Sequence, residues 1–181
     1  MKKTIIIILV AFAVVQCKKE NNFTFSKGQL GKITSATQVH ELKSIFAKDS
    51  LVSNLDNDDF ADSPYDEFVV YSKEGEHLLT IVPKQQNDST STIESIQLFS
   101  KNYKTEKGVG MSSTFKEIMD NYHVNKVEST FTTAVLFVDE LDATIAIDKK
   151  ELGIKDFGVQ KVTLEQIPDL AKIKTFTIWF D

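Results

Sequence analysis

Apolar residues along this chain recur with two different periods, and the switches between them mark out the elements. Val39, Leu42, Ile45 and Phe46 fall on one helical face, and so do Phe115, Ile118, Met119 and Tyr122. Each stripe follows a capping pair, Ser35 with Gln38 and Thr114 with Glu117, which can satisfy the free N–H groups of a first turn. Helices are therefore predicted at 37–47 and 113–122. Elsewhere the runs are β-rich. Residues 67–83 read as a hairpin about Glu74-Gly75, and 132–138 with 143–148 as a second, joined through Asp139 to Asp142. Single strands are expected at 93–100 and 173–180, and a short first strand around Phe23 and Phe25.

The order helix, hairpin, strand thus occurs twice. The helices align at a shift of 76 and the last strands at 80, where IESIQLFS lies over IKTFTIWF. The hairpins align at 66, placing Leu79-Thr80-Ile81 on Ile145-Ala146-Ile147. Two repeat units are expected, 31–105 and 106–181. The fold class is α+β, with two tandem helix–β-hairpin–strand units and the helices packed on antiparallel sheet. Such tandem units resemble the fold of the outer-membrane assembly lipoprotein BamE and of the secreted β-lactamase-inhibitor protein. The stretch TEKGVGMSSTFKEIMDNY also resembles the glycine-rich helix starts of envelope lipoproteins that include the YfeY-type domain of unknown function. The resemblance implies a fold and a compartment. It implies no catalytic residue.

The N-terminus carries an address. Met1-Lys2-Lys3 precedes an unbroken apolar run from Ile5 to Val15, and Cys17, the one cysteine of the chain, follows at once. The run rises roughly 16 Å as a helix, about half a bilayer core, which suits a secretory signal better than a span. Val14-Val15-Gln16-Cys17 resembles the lipobox of bacterial lipoproteins. The resemblance implies a signal peptide at 1–16, cleavage before Cys17, and acylation of Cys17 with palmitate-type chains that anchor the protein in a lipid bilayer. Gln16 departs from the usual small residue. Bacteroidetes lipoproteins are looser there, and the CKKE start resembles theirs. The other reading is an ordinary signal followed by a stray cysteine. Residues 17–30 are read as the lipidated cysteine and a polar tether. The expected location is the cell envelope, at the outer membrane, facing periplasm or cell surface.

Composition narrows the partners. The net charge is −5, and loss of Lys2 and Lys3 with the signal makes it more negative. An acidic chain is a poor nucleic-acid binder, because that affinity rests on neutralising phosphates. All 21 basic residues are lysine, so the bidentate fork that suits phosphate and carboxylate is missing. Thirteen phenylalanines and many β-branched residues favour a sheet-rich core.

The motifs that could carry chemistry are sparse. Gly108-Val109-Gly110 lacks the third glycine of a dinucleotide loop and reads as a turn into a helix. Asp56, Asp58, Asp59 and Asp62 are the weak metal candidates of the acidic segment 56–67, which lacks the glycine and closing glutamate of a calcium loop. His40, His77 and His123 have no metal-ligand spacing. Ser112, Ser113 and Ser129 lack a nucleophile motif. No cofactor is expected. In the last strand Phe176, Ile178 and Phe180 alternate with Trp179, so Trp179 faces away from the core. With Phe60 and Tyr65 it is a candidate partner contact. The leading expectation is a non-enzymatic, membrane-anchored binding or assembly module with a protein partner in the envelope. The alternatives are an inhibitor or small-ligand module using an open sheet face, and an unrecognised hydrolase.

Overall fold

The computed structural model describes residues 23–53, 66–154 and 160–180. Each capping signal starts a helix close to where the pattern predicts one, but both helices fall short of their expected length. Helix α1 is one turn, Leu42–Ile45, continuing a 3-10 turn at Val39–Glu41. Helix α2 spans Phe115–Asn121 and is the one α-helix longer than a single turn among the described residues. The second capping box closes as expected. The Glu117 carboxylate accepts from the Thr114 N–H at 2.7 Å, and Thr114 Oγ1 accepts from the Glu117 N–H. The first sits three residues later than Ser35 with Gln38, because Glu41 accepts from the Gln38 N–H at 2.8 Å. Leu42 and Ile118 are wholly buried, and Phe46, Phe115 and Tyr122 nearly so. Met119 was placed on the buried stripe by its spacing, yet it lies at the flank and is 39% exposed.

Twelve strands build two sheets among the described residues. The smaller contains β1 (Thr24–Ser26), β2 (Gln29–Leu30), β3 (Ile33–Thr34) and β8 (Lys104–Thr105) in the order β3-β2-β1-β8. The first two lie within the stretch read as tether, and Phe25 and Leu30 are buried there. The larger sheet takes β4 (Ser50–Ser53), β5 (Phe68–Tyr71), β6 (His77–Pro83), β7 (Ile93–Leu98), β9 (Lys126–Ser129), β10 (Thr133–Val138), β11 (Ala143–Asp148) and β12 (Ile173–Trp179). Its order is β4-β5-β6-β7-β12-β11-β10-β9, antiparallel throughout. The architecture is mixed α+β and mostly sheet, rather than two plain helix–hairpin–strand units. Each hairpin gains an outer strand, β4 or β9, that the sequence pattern did not mark.

Outward from the β7–β12 pair, the two halves of the large sheet follow one register. Gln97 sits opposite Thr177, its counterpart at a shift of 80, so the halves meet about that pair. Val82 pairs with Ser95 and Pro83 with Ile93, leaving Glu94 as the extra residue of a bulge. Ala146 pairs with Thr175 and Ile147 with Ile173, leaving Lys174. This anchors the hairpins at a shift of 64. The expected shift of 66 was two residues off. A slip of two keeps every side chain on its own face, so alternation cannot detect it. The helix starts repeat too. Val39 and His40 donate their N–H groups to the Ser91 and Ser89 carbonyls, as Phe115 and Lys116 do to Ala171 and Asp169.

One core joins the layers. On the inner face of the large sheet, Leu79, Ile81, Ile96, Leu98, Ile145, Phe176 and Ile178 have no exposed surface. Phe25 of the small sheet meets Phe176 edge-on at 5.2 Å, and the buried helix residues belong to the same cluster. The small sheet and both helices therefore cover one face of the large sheet. On the opposite face Val69, Thr80 and Ser95 are buried, while Gln97, Thr177, Thr144 and Phe137 are half-buried.

Candidate functional site

The strand alternation that sends Ile96 and Ile178 inward sends their neighbours outward. The registers place these neighbours in one row across the outer face: Val69 and Thr80, both buried, then Gln97, Thr177, Thr144 and Phe137, all half-buried. The row carries no charge until Lys126 at its far end, whose ammonium lies 5.4 Å from the Phe137 ring and pairs with Glu128. Its centre is therefore neutral and rich in hydroxyl and amide groups, on a chain of net charge −5.

Two aromatic side chains flank that centre. Phe99 lies two residues beyond Gln97, and Trp179 two residues beyond Thr177 on the antiparallel neighbour. Four strand residues separate them, about 13 Å. They are 39% and 38% exposed. Each is held by a group from the next strand. The Trp179 indole N–H donates to Thr144 Oγ1 at 3.1 Å. Phe99 stacks on the His77 imidazole at 3.7 Å with planes 19° apart. His77 Nε2 lies 3.2 Å from the Leu79 carbonyl and 3.0 Å from Thr80 Oγ1, so its proton sits on Nε2. Thr80 and Thr144 are counterparts at the shift of 64. In one half a threonine steadies the indole directly, and in the other it steadies the imidazole beneath the phenyl ring. Burial disfavours the charged imidazole and lowers the His77 pKa, partly offset by the hydrogen bond to the Leu79 carbonyl.

Such a face can stack on flat or apolar groups and can donate and accept hydrogen bonds. Of the sequence-derived candidates, the structure places Trp179 here. Cys17, Phe60, Tyr65, Asp56, Asp58, Asp59 and Asp62 lie outside the described residues. Among the described residues no group of three or more His, Cys, Asp or Glu side chains could hold a metal ion. His40 and His123 sit at helix ends, away from His77 in the chain. His40 Nδ1 contacts the Ser89 carbonyl, and the His123 N–H donates to Glu140. Ser113 Oγ accepts from Gly110 N–H and Ser129 Oγ from Val162 N–H, both backbone roles. Sequence reasoning did not single out Phe99, Thr80 or Thr144. The shift of 80 that lays IESIQLFS over IKTFTIWF already put Phe99 on Trp179.

No protein-family model matches the chain, and no curated protein matches it. A solved structure similar to it is that of the uncharacterized protein YfeY from Escherichia coli, with 14% sequence identity and a TM-score of 0.51. The match covers 86% of this chain and 99% of that one. At this identity the likeness is one of architecture, and the chain has a YfeY-like α+β fold.

Proposed function

We propose that this chain is a non-enzymatic binding or assembly module of a bacterial cell envelope, anchored to the bilayer through acylated Cys17. A protein partner in that envelope docks on the open face of the large sheet. The observation that carries the reading is the pair of exposed, held aromatics, Phe99 and Trp179, across a neutral hydroxyl-lined row. Exposed aromatics fixed by their neighbours lose little freedom on binding, which makes them effective anchors of an interface. The lipobox-like VVQC segment and the CKKE start support a Bacteroidetes-type lipoprotein.

The same reading takes the two halves as a duplicated unit of the BamE-like or inhibitor-like kind. The matched bulges at Glu94 and Lys174 and the matched helix-start hydrogen bonds support this, because neither follows from strand alternation. In this view duplication made both the continuous sheet and the paired aromatic positions. The test is recovery of the intact protein from its own envelope. Wild type should co-purify with a discrete partner, and the double variant Phe99→Ala, Trp179→Ala should lose it while remaining folded and membrane-bound. Equal recovery by both forms would contradict the assignment of this face.

A further inference from the structure

The region between the small sheet, helix α1 and the start of β6 holds a hollow of about 230 Å³ that the sheet-face reading does not use. Leu30, Ile33, Ile45 and Leu78 give it an apolar wall, and Lys32, Lys48 and Asp49 line it as well. One polar side chain on it stands out. Tyr103 is 3% exposed, and its hydroxyl makes no hydrogen bond among the described residues. Its ring contact is with Phe23, edge-on at 5.3 Å, and Phe23 is 41% exposed at the rim. A buried hydroxyl left unpaired is unfavourable, and most buried polar groups have a partner. A polar partner at this site is therefore expected.

The surroundings define what that partner must be. A second hollow of about 290 Å³ shares Phe23, Lys48, Asp49 and Leu78 with the first and adds Lys73, Glu74 and Glu76, so the two together carry lysines and carboxylates in balance and favour a neutral head. Asp49 and Glu76 are the carboxylates whose charge reaches the Tyr103 hydroxyl, and Glu76 already accepts from Ser100 Oγ at 2.8 Å. Burial first, and then these two charges, push the Tyr103 pKa up, so the phenol is a neutral O–H donor. The incoming group must accept from the phenol and present a donor to the carboxylate side. A carboxylate or phosphate head can accept from the phenol and can pair with Lys48, but it has no donor to present to Asp49 and Glu76. An ammonium head can donate but cannot accept. A hydroxyl does both.

We propose that this hollow is a binding site for a small apolar alcohol. The alcohol oxygen accepts from Tyr103, its own O–H turns toward Asp49, and its hydrocarbon body rests on Leu30, Ile33, Ile45 and Leu78. This assignment is independent of the sheet-face reading, since it shares no side chain with the Phe99 and Trp179 positions.

The test is titration by methyl and aromatic NMR of the full chain carrying Cys17→Ser, which removes the acylation site. Cyclohexanol should give saturable shifts confined to Ile33, Ile45, Leu30 and Tyr103, and cyclohexanecarboxylate and cyclohexylamine should give none. Tyr103→Phe keeps the ring and should weaken cyclohexanol about 3- to 10-fold, the effect of one hydrogen bond. Ile45→Phe fills the hollow and should abolish binding even if Tyr103→Phe fails to fold. The proposal is overturned if cyclohexanol gives no saturable shift, if the carboxylate or the amine binds as well, or if both variants bind like wild type.

Discussion

Replacing Ile118 by alanine tests whether the capping-box helix is part of the core or a lid on it. Ile118 has no exposed surface and lies in the same cluster as Phe176 and Leu98 of the large sheet. The substitution removes three carbons, about 2.4 kcal/mol of transfer energy at ~0.8 kcal/mol per methylene. Incomplete collapse of the hole adds to this, giving a loss of about 2–5 kcal/mol. For a chain of this size each kcal/mol moves the thermal midpoint by about 2–4 °C. Urea melts followed by circular dichroism should show the loss with an unchanged slope. Met119, the next residue and 39% exposed, supplies the internal control. Met119→Ala should cost less than about 1 kcal/mol, the usual scale for surface changes. A loss below about 0.5 kcal/mol at Ile118, or equal losses at the two positions, would refute the placement of α2 against the sheet.

Three further outcomes are expected. Radiolabelled palmitate should be incorporated into wild type in its own host and lost in Cys17→Ser, and labelling that persists in the variant would remove the lipoprotein reading. Gly110→Ala should destabilise by about 2 kcal/mol or more in urea melts, because a Cβ there would sit 2.2 Å from the backbone carbonyl of Tyr103, which cannot rotate aside; a neutral result would mean the Lys104–Gly110 bridge is misplaced. The His77 imidazole should titrate below about 6.5 by NMR. Since the unfolded chain then binds that proton more readily, its contribution is present at neutral pH and is lost as pH falls below about 6.5. His77→Gln should flatten the dependence of the urea midpoint between pH 7.5 and 5.5, and an unchanged profile would count against the buried, neutral imidazole.

What the sequence revealed depended on element length and on which side of the sheet a residue faces. The hairpins about Glu74-Gly75 and Asp139 to Asp142, the strands 93–98 and 173–179, and the Thr114–Glu117 box were legible because each spans several periods or carries a capping pair. Strands β2, β3 and β8 have two residues each, too few for any period. Strand β9 reads Lys-Val-Glu-Ser, the charged composition that protects an open sheet edge and also resembles a loop. The helices ended early because the chain leaves helical geometry at Phe46 and Tyr122, which are held by the core rather than by local propensity. Of the candidate face, Trp179 was legible as the outward residue of an alternating strand. Thr80 and Thr144 were not, since a threonine on an outer face looks ordinary until its register against Trp179 and His77 is known. Tyr103 gave no signal, because an unpaired hydroxyl is a property of three-dimensional surroundings.

A photo-crosslinking residue on the outer sheet face reports whether the proposed envelope partner meets it. Thr177 sits at the centre of that face, opposite Gln97, and Met119 lies on the helix layer across the molecule. Benzoylphenylalanine introduced at each position in the full chain, expressed in its own host, should on irradiation of intact cells give one discrete heavier adduct from position 177 and none from 119. No adduct from 177, or the same adduct from both positions, would contradict the account.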